Sequence, residues 1–263
     1  MIEVIKTENV SKVFQMRKGF AAVQNITALN NVNISLSDGE ILGLVGASGS
    51  GKSTIARILV LLYRPTSGKI LFHDRDVSGI NGHELKQYRS KVQMVFQDPY
   101  ASLDPYHTVA WHIRRPLKII HYKGDVEERI DALLQMVRLD PPGYFRDKFP
   151  HQLSGGQRQR VYLARTLALE PEVLIADEPV SMLDVSLRIE ILDLLEKIRN
   201  DLGISIIYIT HDLNTVSMIT DRLYVIHNGE IVESGKTEEI LSDPKDPYTK
   251  SLIAAAPDPY KRI

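Results

Sequence analysis

The sequence predicts an α/β fold with a helical segment set into it. Three observations lead there. A short apolar run, Ile41-Leu42-Gly43-Leu44-Val45, feeds a glycine-rich loop that opens into a helical pattern from Ser53 to Leu62. Further apolar runs of strand length stand at Gln93–Phe96, Val173–Ala176 and Ser205–Ile209. Separated by amphipathic stretches, they read as buried parallel strands joined by crossover helices. From about residue 100 to 165 the periodicity is helical, with Pro, Tyr and charged residues between the segments.

Taken in order, Val32-Asn33-Ile34-Ser35-Leu36 alternates apolar and polar side chains, as a half-buried strand does, and Asp38-Gly39 reads as a turn. Ile41–Val45 is a buried strand, and Pro65-Thr66-Ser67-Gly68 ends the helix that follows it. Val126 to Val137 places Ile130, Leu133, Leu134 and Val137 on one helical face. Ile189 to Ile198 repeats apolar residues at Ile191, Leu192, Leu194, Leu195 and Ile198, a crossover helix. Leu223–Ile226 and Glu230–Val232 flank His227-Asn228-Gly229 as a late hairpin. The expected organisation is a core in two parts, residues 1–100 and 166–235, a helical subdomain at 101–165, and a carboxy-terminal extension at 236–263.

Bulk properties narrow the function classes. The 263 residues are 43% apolar and 25% charged, as in ordinary globular proteins. A formal net charge of -1 argues against a dominant nucleic-acid-binding role, which favours a basic excess. With no cysteine, disulfides, thiolate metal sites and cysteine nucleophiles are excluded. Met1 to Lys6 has no apolar signal core, and the apolar stretch Ile55 to Tyr63 contains Arg57 and is too short to span a bilayer.

The loop Gly46-Ala47-Ser48-Gly49-Ser50-Gly51-Lys52-Ser53-Thr54 has the residue types and spacing that wrap phosphates. Gly46, Gly49 and Gly51 allow backbone conformations closed to other residues, so N–H groups turn inward beside a helix N-terminus. Lys52 supplies positive charge to the β- and γ-phosphates, and the Ser53 hydroxyl is a ligand for Mg²⁺. Asp177 and Glu178 follow an apolar strand, an acid pair suited to holding Mg²⁺ through water and to orienting or deprotonating an attacking water. Leu153-Ser154-Gly155-Gly156-Gln157 opens a helix continuing through Arg158-Gln159-Arg160. A serine hydroxyl and backbone amides at that start form an anion site.

Together, these motifs resemble the ATP-binding cassette (ABC) family of ATPases. The resemblance runs from Thr7 to Pro257. It implies a P-loop NTPase (RecA-like) core with an inserted helical subdomain and an antiparallel β subdomain. It implies ATP and Mg²⁺ as ligands, with Glu178, His211, Gln97 and Lys52 catalytic and Ser53, Gln97 and Asp177 serving the metal. Gln97 follows a strand about 45 residues beyond Lys52, and His211 closes the strand Ser205–Ile209. Ser154, Gly155, Gly156 and Gln157 would contact the γ-phosphate of ATP held by a second subunit. Asp184, within Ser181-Met182-Leu183-Asp184, would couple the two sites, and Phe14 would stack on adenine. The stretch Gln15 to Thr27 lengthens the interval between Phe14 and the loop.

The tail Asp243-Pro244-Lys245-Asp246-Pro247-Tyr248-Thr249 is similar to that of the oligopeptide, dipeptide and nickel importer branch, where His is usual at the Asp246 position. The resemblance therefore implies the ATPase subunit of an importer. It would work on the cytoplasmic face of the membrane, with transmembrane permease subunits, a second ATP-binding subunit (identical or related) and an extracytoplasmic solute-binding protein. A soluble ABC ATPase acting on ribosomes or DNA usually carries two cassettes or long coiled coils, and neither is present. The tail argues against an exporter, and intact Glu178, His211 and LSGGQ argue against a non-catalytic cassette.

Overall fold

The computed structural model describes residues 2–18, 22–96, 102–181 and 183–255. Contacts divide the chain into two compact units, Met1–Asn81 with Ser205–Ile263, and Gly82–Ile204.

The first unit opens with β1 (Glu3–Lys18), β2 (Ala22–Val32), β3 (Ser35–Ser37), β4 (Ile41–Val45), α1 (Lys52–Leu59), β5 (Ser67–Phe72) and β6 (Arg75–Asp76). β1 pairs antiparallel with β2, β3 and β5, giving the order β2-β1-β5-β6 with β3 beside β1. Val4, Ile5, Val10, Leu29, Val32, Leu36 and Ile70 are buried, which drives the sheet to cover its apolar face.

Two details depart from the sequence reading. The expected strand Val32–Leu36 is broken, because Asn9 and Asn31 adopt left-handed backbone (φ 52° and 48°). Asn33 then supplies side-chain partners where a ladder would run, accepting from Asn9 N–H at 2.8 Å and donating to Asn31 O at 2.9 Å. The stretch after Phe14 continues the β1–β2 ladder through Gln15↔Asn25 and Met16↔Gln24. It carried no alternation because Gln15, Met16, Gln24, Asn25, Ile26 and Thr27 are all exposed.

The second unit comprises α2 (Gly82–Lys91), β7 (Val92–Val95), α3 (Val109–Ile119), α4 (Val126–Met136), α5 (Pro142–Phe145), a 3₁₀ turn at Pro150–Gln152, α6 (Gly155–Leu167), β8 (Val173–Asp177) and α7 (Val185–Leu202). β7 and β8 are parallel, Val92 opposite Val173. α3, α4 and α6 pack on one another. The predicted face of α4, Ile130, Leu133, Leu134 and Val137, is fully buried. Asp125 caps α4 by accepting from Glu127 and Glu128 N–H. α7 buries the predicted stripe Ile191, Leu192, Leu194, Leu195 and Ile198 and ends at Gly203 in the left-handed region.

The chain returns to the first unit with β9 (Ser205–Thr210), α8 (Leu213–Ile219), β10 (Arg222–His227), β11 (Glu230–Lys236), α9 (Thr237–Ser242) and α10 (Pro247–Ala255). β4 lies between β9 and β10, parallel to both, and β11 returns antiparallel. Every residue of β4 and β9 is buried, as a central parallel strand requires. Asn228 and Gly229 take φ 48° and 81°, the positive pair that lets a two-residue turn follow the twist of its strands. Among the described residues, no helix is long and apolar enough to cross a membrane.

Candidate functional site

The first unit carries the phosphate loop. β4 delivers the chain into it, and two of its glycines are sterically required. A Cβ on Gly46 would lie 2.2 Å from Ile226 O, and one on Gly51 (φ 112°) would lie 2.8 Å from a Leu29 methyl and 2.9 Å from Ala28 O. The loop is thus seated against β10 and β2. Gly229 N–H, from the late hairpin turn, donates to Ser50 O at 2.9 Å. Lys52 is buried, and its ammonium donates to Gly46 O at 2.7 Å and Ala47 O at 2.9 Å. α1 starts without a side-chain cap, because Gly51 stands at the N-cap. It ends at Leu59, three residues before the predicted Leu62, because Leu61 turns left-handed (φ 55°).

A polyphosphate suits these groups. The Ser50 hydroxyl is buried without a protein hydrogen-bond partner, the helix start has no side-chain cap, and a buried cation sits there. Ser53 and Thr54 are half-buried on the first turn, and Ser48 and Gly49 are exposed at the loop crest. His211 follows β9 and is exposed, one residue before Asp212, which caps α8 through Asn214 N–H at 3.0 Å. Phe14 lies on β1 edge-on to Tyr63, centroids 5.5 Å apart, with the Lys12 ammonium 5.1 Å above its ring.

The second unit holds the acidic pair and the signature segment Leu153-Ser154-Gly155-Gly156-Gln157. Asp177 ends β8 and is buried, 5% exposed. Glu178 takes φ 48°, a conformation that costs a non-glycine residue about 1–3 kcal/mol and marks sites held against strain. Its carbonyl accepts from Ser181 N–H at 3.2 Å and Ser181 Oγ at 3.1 Å, which closes the turn. Ser154 caps α6 in a reciprocal box: its hydroxyl accepts from Gln157 N–H at 3.3 Å, and its own N–H donates to Gln157 Oε1 at 3.0 Å. Gly156 is buried, and a Cβ there would meet Leu187 of α7 at 3.3 Å. Asp184 caps α7, accepting from Leu187 N–H at 3.0 Å and Ser186 Oγ at 2.8 Å. The Leu187 N–H first, then the Ser186 hydroxyl, hold its carboxyl below the usual value. Gln97 and Met182 lie outside the described residues.

Among the described residues, no group of three or more His, Asp or Glu could hold a metal by itself. Magnesium is usually held by one or two carboxylates together with substrate phosphates and waters.

Sequence reasoning missed three contributors. Tyr248, His227 and Gly229 all act on the outside of the phosphate loop, through contacts spanning up to 201 residues. The Asn-Gly turn and the tail motif were visible, but not their target.

A buried parallel strand feeding a glycine loop with a buried lysine at the head of a helix defines a P-loop nucleotide-binding ATPase. The comparisons narrow this. Residues 29–181 match the ABC transporter family. The oligopeptide transport ATP-binding protein AppF of Bacillus subtilis (strain 168) is 40% identical over 264 residues, covering 98% of this chain and 80% of the relative. The dipeptide transport ATP-binding protein DppF of Haemophilus influenzae is 41% identical over 250 residues, covering 94% and 76% respectively. Among solved structures, the dimeric post-hydrolysis ATP-binding cassette MJ0796, bound to ADP and Pi, superposes with a TM-score of 0.77 at 33% identity, covering 89% of this chain and 98% of that one. The chain belongs to the ABC transporter family, and its nucleotide is ATP.

Proposed function

We propose that this chain is the ATP-hydrolysing subunit of an importer for peptides. The observation that carries the transport reading is its similarity, over nearly its whole length, to relatives named for oligopeptide and dipeptide transport. The loop geometry supports the ATPase half of the reading.

In this proposal Gly46, Ser48, Gly49, Ser50, Gly51, Lys52, Ser53 and Thr54 cradle the phosphates, and Phe14 is the adenine platform. Lys52 leaves the carbonyls of Gly46 and Ala47 for phosphate oxygens. Ser53, Asp177 and Gln97 serve magnesium, which when bound offsets phosphate charge. Glu178 orients and deprotonates the attacking water, and His211 supports it at the γ-phosphate. Ser154, Gly155, Gly156 and Gln157 complete the site of a second ATP-binding subunit, identical or related, and Asp184 couples the pair. ATP then favours a closed dimer and hydrolysis releases it, with segment 101–165 as the moving helical subdomain.

The remaining partners are two membrane-spanning permease subunits, an extracytoplasmic solute-binding protein and no nucleic acid; the chain sits peripherally on the cytoplasmic face. A groove of about 390 Å³ in the second unit, lined by Phe96, Trp111, Arg115, Ile119 and Tyr162, supports docking of a permease segment.

Two measurements test this. Glu178→Gln should lower hydrolysis by at least about 100-fold while ATP affinity stays near wild type; near wild-type turnover would remove Glu178 from its role. Capture of the chain from gently solubilised native membranes should bring down two multi-span proteins. Ribosomes or DNA-bound proteins in their place would overturn the transport reading.

A further inference from the structure

The family motifs account for the inner face of the phosphate loop, but not for what grips its outer face. The Tyr248 hydroxyl accepts the backbone N–H of Ala47 at 2.9 Å. Its ring lies flat on His227, centroids 3.8 Å apart and planes within 6°. His227 precedes the Asn228-Gly229 turn, whose Gly229 N–H holds Ser50 O at 2.9 Å. One assembly, the hairpin turn with the tail tyrosine stacked on it, therefore ties the loop at Ala47 and again at Ser50.

The tie at Ala47 reaches the catalytic lysine. The Ala47 N–H and the Gly46 carbonyl belong to one planar peptide and point in opposite directions. The carbonyl accepts from Lys52 Nζ at 2.7 Å, and the N–H donates to Tyr248 at 2.9 Å. A hydrogen bond to the N–H fixes the plane of that peptide in space, and with it the path of the loop beside the lysine. Losing the tyrosine hydroxyl would free that peptide to rotate and carry the lysine's partner with it.

Tyr248 is itself firmly placed. It is the second residue of α10, which opens with Pro247 at a position that needs no N–H. Asp246, standing where the resembled branch usually has His, accepts from Tyr248 N–H at 2.8 Å and Thr249 N–H at 3.4 Å. The Glu233 carboxylate of β11 then accepts the N–H groups of Lys245 at 2.7 Å and Asp246 at 3.2 Å. Burial pushes the Glu233 carboxyl up, but these two N–H groups and the Lys245 charge help to outweigh it, and the group lies below its usual value.

We propose that Tyr248 is a positioning residue for the ATPase: acting through the Ala47 peptide, it holds the phosphate loop in its binding shape, so the carboxy-terminal arm sets ATP affinity. This rests on the reading of the loop as the ATP site. The test uses the full chain, with steady-state ATP hydrolysis and amide hydrogen exchange of nucleotide-free protein. Tyr248→Phe keeps the ring on His227 and removes only the hydroxyl. It should raise KM for ATP by about three- to tenfold, the loss of one ordinary hydrogen bond, with kcat within about twofold and exchange at Ala47 accelerated by a similar factor. Tyr248→Ala, which also removes the stack, should raise KM further. A Tyr248→Phe protein with unchanged KM and unchanged Ala47 exchange, or with kcat reduced at constant KM, would overturn the proposal. If wild-type protein binds no ATP, the loop reading fails and takes this inference with it. Wild-type binding with an indifferent Tyr248→Phe sinks the inference alone.

Discussion

The two glycine-rich helix starts of this chain are built in opposite ways. α1 begins at Gly51 with no side-chain cap, and its loop is shaped from outside by Ile226, Leu29, Gly229 and Tyr248. α6 begins with an exposed Ser154 whose hydroxyl and N–H are both engaged by Gln157, four atoms closing on themselves. A helix start without a side-chain cap keeps its positive end open to an anion, and the α1 loop is held in shape from outside. A capping box satisfies its own donors, so α6 is stable without a ligand and can meet one that arrives later. The first arrangement suits a site that binds on its own. The second suits one that acts when a partner presents a nucleotide.

The largest effect should come from filling space at the first start. Gly51→Ala puts a Cβ within 2.9 Å of Ala28 O at φ 112°, where an L-residue is strained whatever the space. ATP affinity, measured by titration of the purified chain, should fall by about 100-fold or more, equivalent to roughly 2.7 kcal/mol. Retained affinity would show that the loop does not need its present shape, and the contrast between the two starts would collapse.

At the second start, smaller and more selective effects are expected. Ser154→Arg places a long cation where the hydroxyl stands. It should abolish ATP-dependent dimerisation, read by light scattering, and lower hydrolysis by about tenfold or more, while affinity of the single chain for ATP stays within about threefold. Ser154→Gly sharpens the point, because glycine at an N-cap costs only a few tenths of a kcal/mol. A loss of hydrolysis with only a slightly lowered melting temperature then isolates the hydroxyl's contact from its capping role. Unchanged hydrolysis in both variants would remove the segment from a partner's site.

What the sequence revealed followed the same division. The cores of α4 and α7 were readable because burial repeats at helical spacing through Ile130, Leu133 and Leu134 and through Ile191, Leu194, Leu195 and Ile198. The glycine loop and the signature were readable because their chemistry is local: each needs a few residue types within one turn. The β1–β2 ladder beyond Phe14 was not, because Gln15, Met16, Gln24, Asn25, Ile26 and Thr27 are all exposed and leave no period. Glu178's left-handed backbone was not, because residue type alone does not disclose strain. Nor was the bond from Tyr248 to Ala47, which depends on how β10, β11 and α10 fold back over the loop.

A third helix start completes the series and carries the smallest predicted effect. α7 is capped by a carboxylate, Asp184, where α6 uses a neutral hydroxyl and α1 uses nothing. The Leu187 N–H and the Ser186 hydroxyl hold the Asp184 carboxyl below its ordinary value of 3.8. A carboxyl depressed in the folded state stabilises fully above its unfolded value, and that contribution is lost as pH falls through the folded value. The cap's charge therefore adds stability at neutral pH and loses it progressively below 3.8. Asp184→Asn keeps a good cap without the charge. The variant should melt slightly below wild type at neutral pH, and the gap should narrow as the buffer is taken below the usual aspartate range. The Ser154 cap has no such titration, so the gap between wild type and Ser154→Gly should not follow that trend. Urea midpoints of all three proteins across the same acid series provide the comparison. An Asp184→Asn gap that persists undiminished in acid would mean that the α7 cap works by geometry alone, as the α6 cap does.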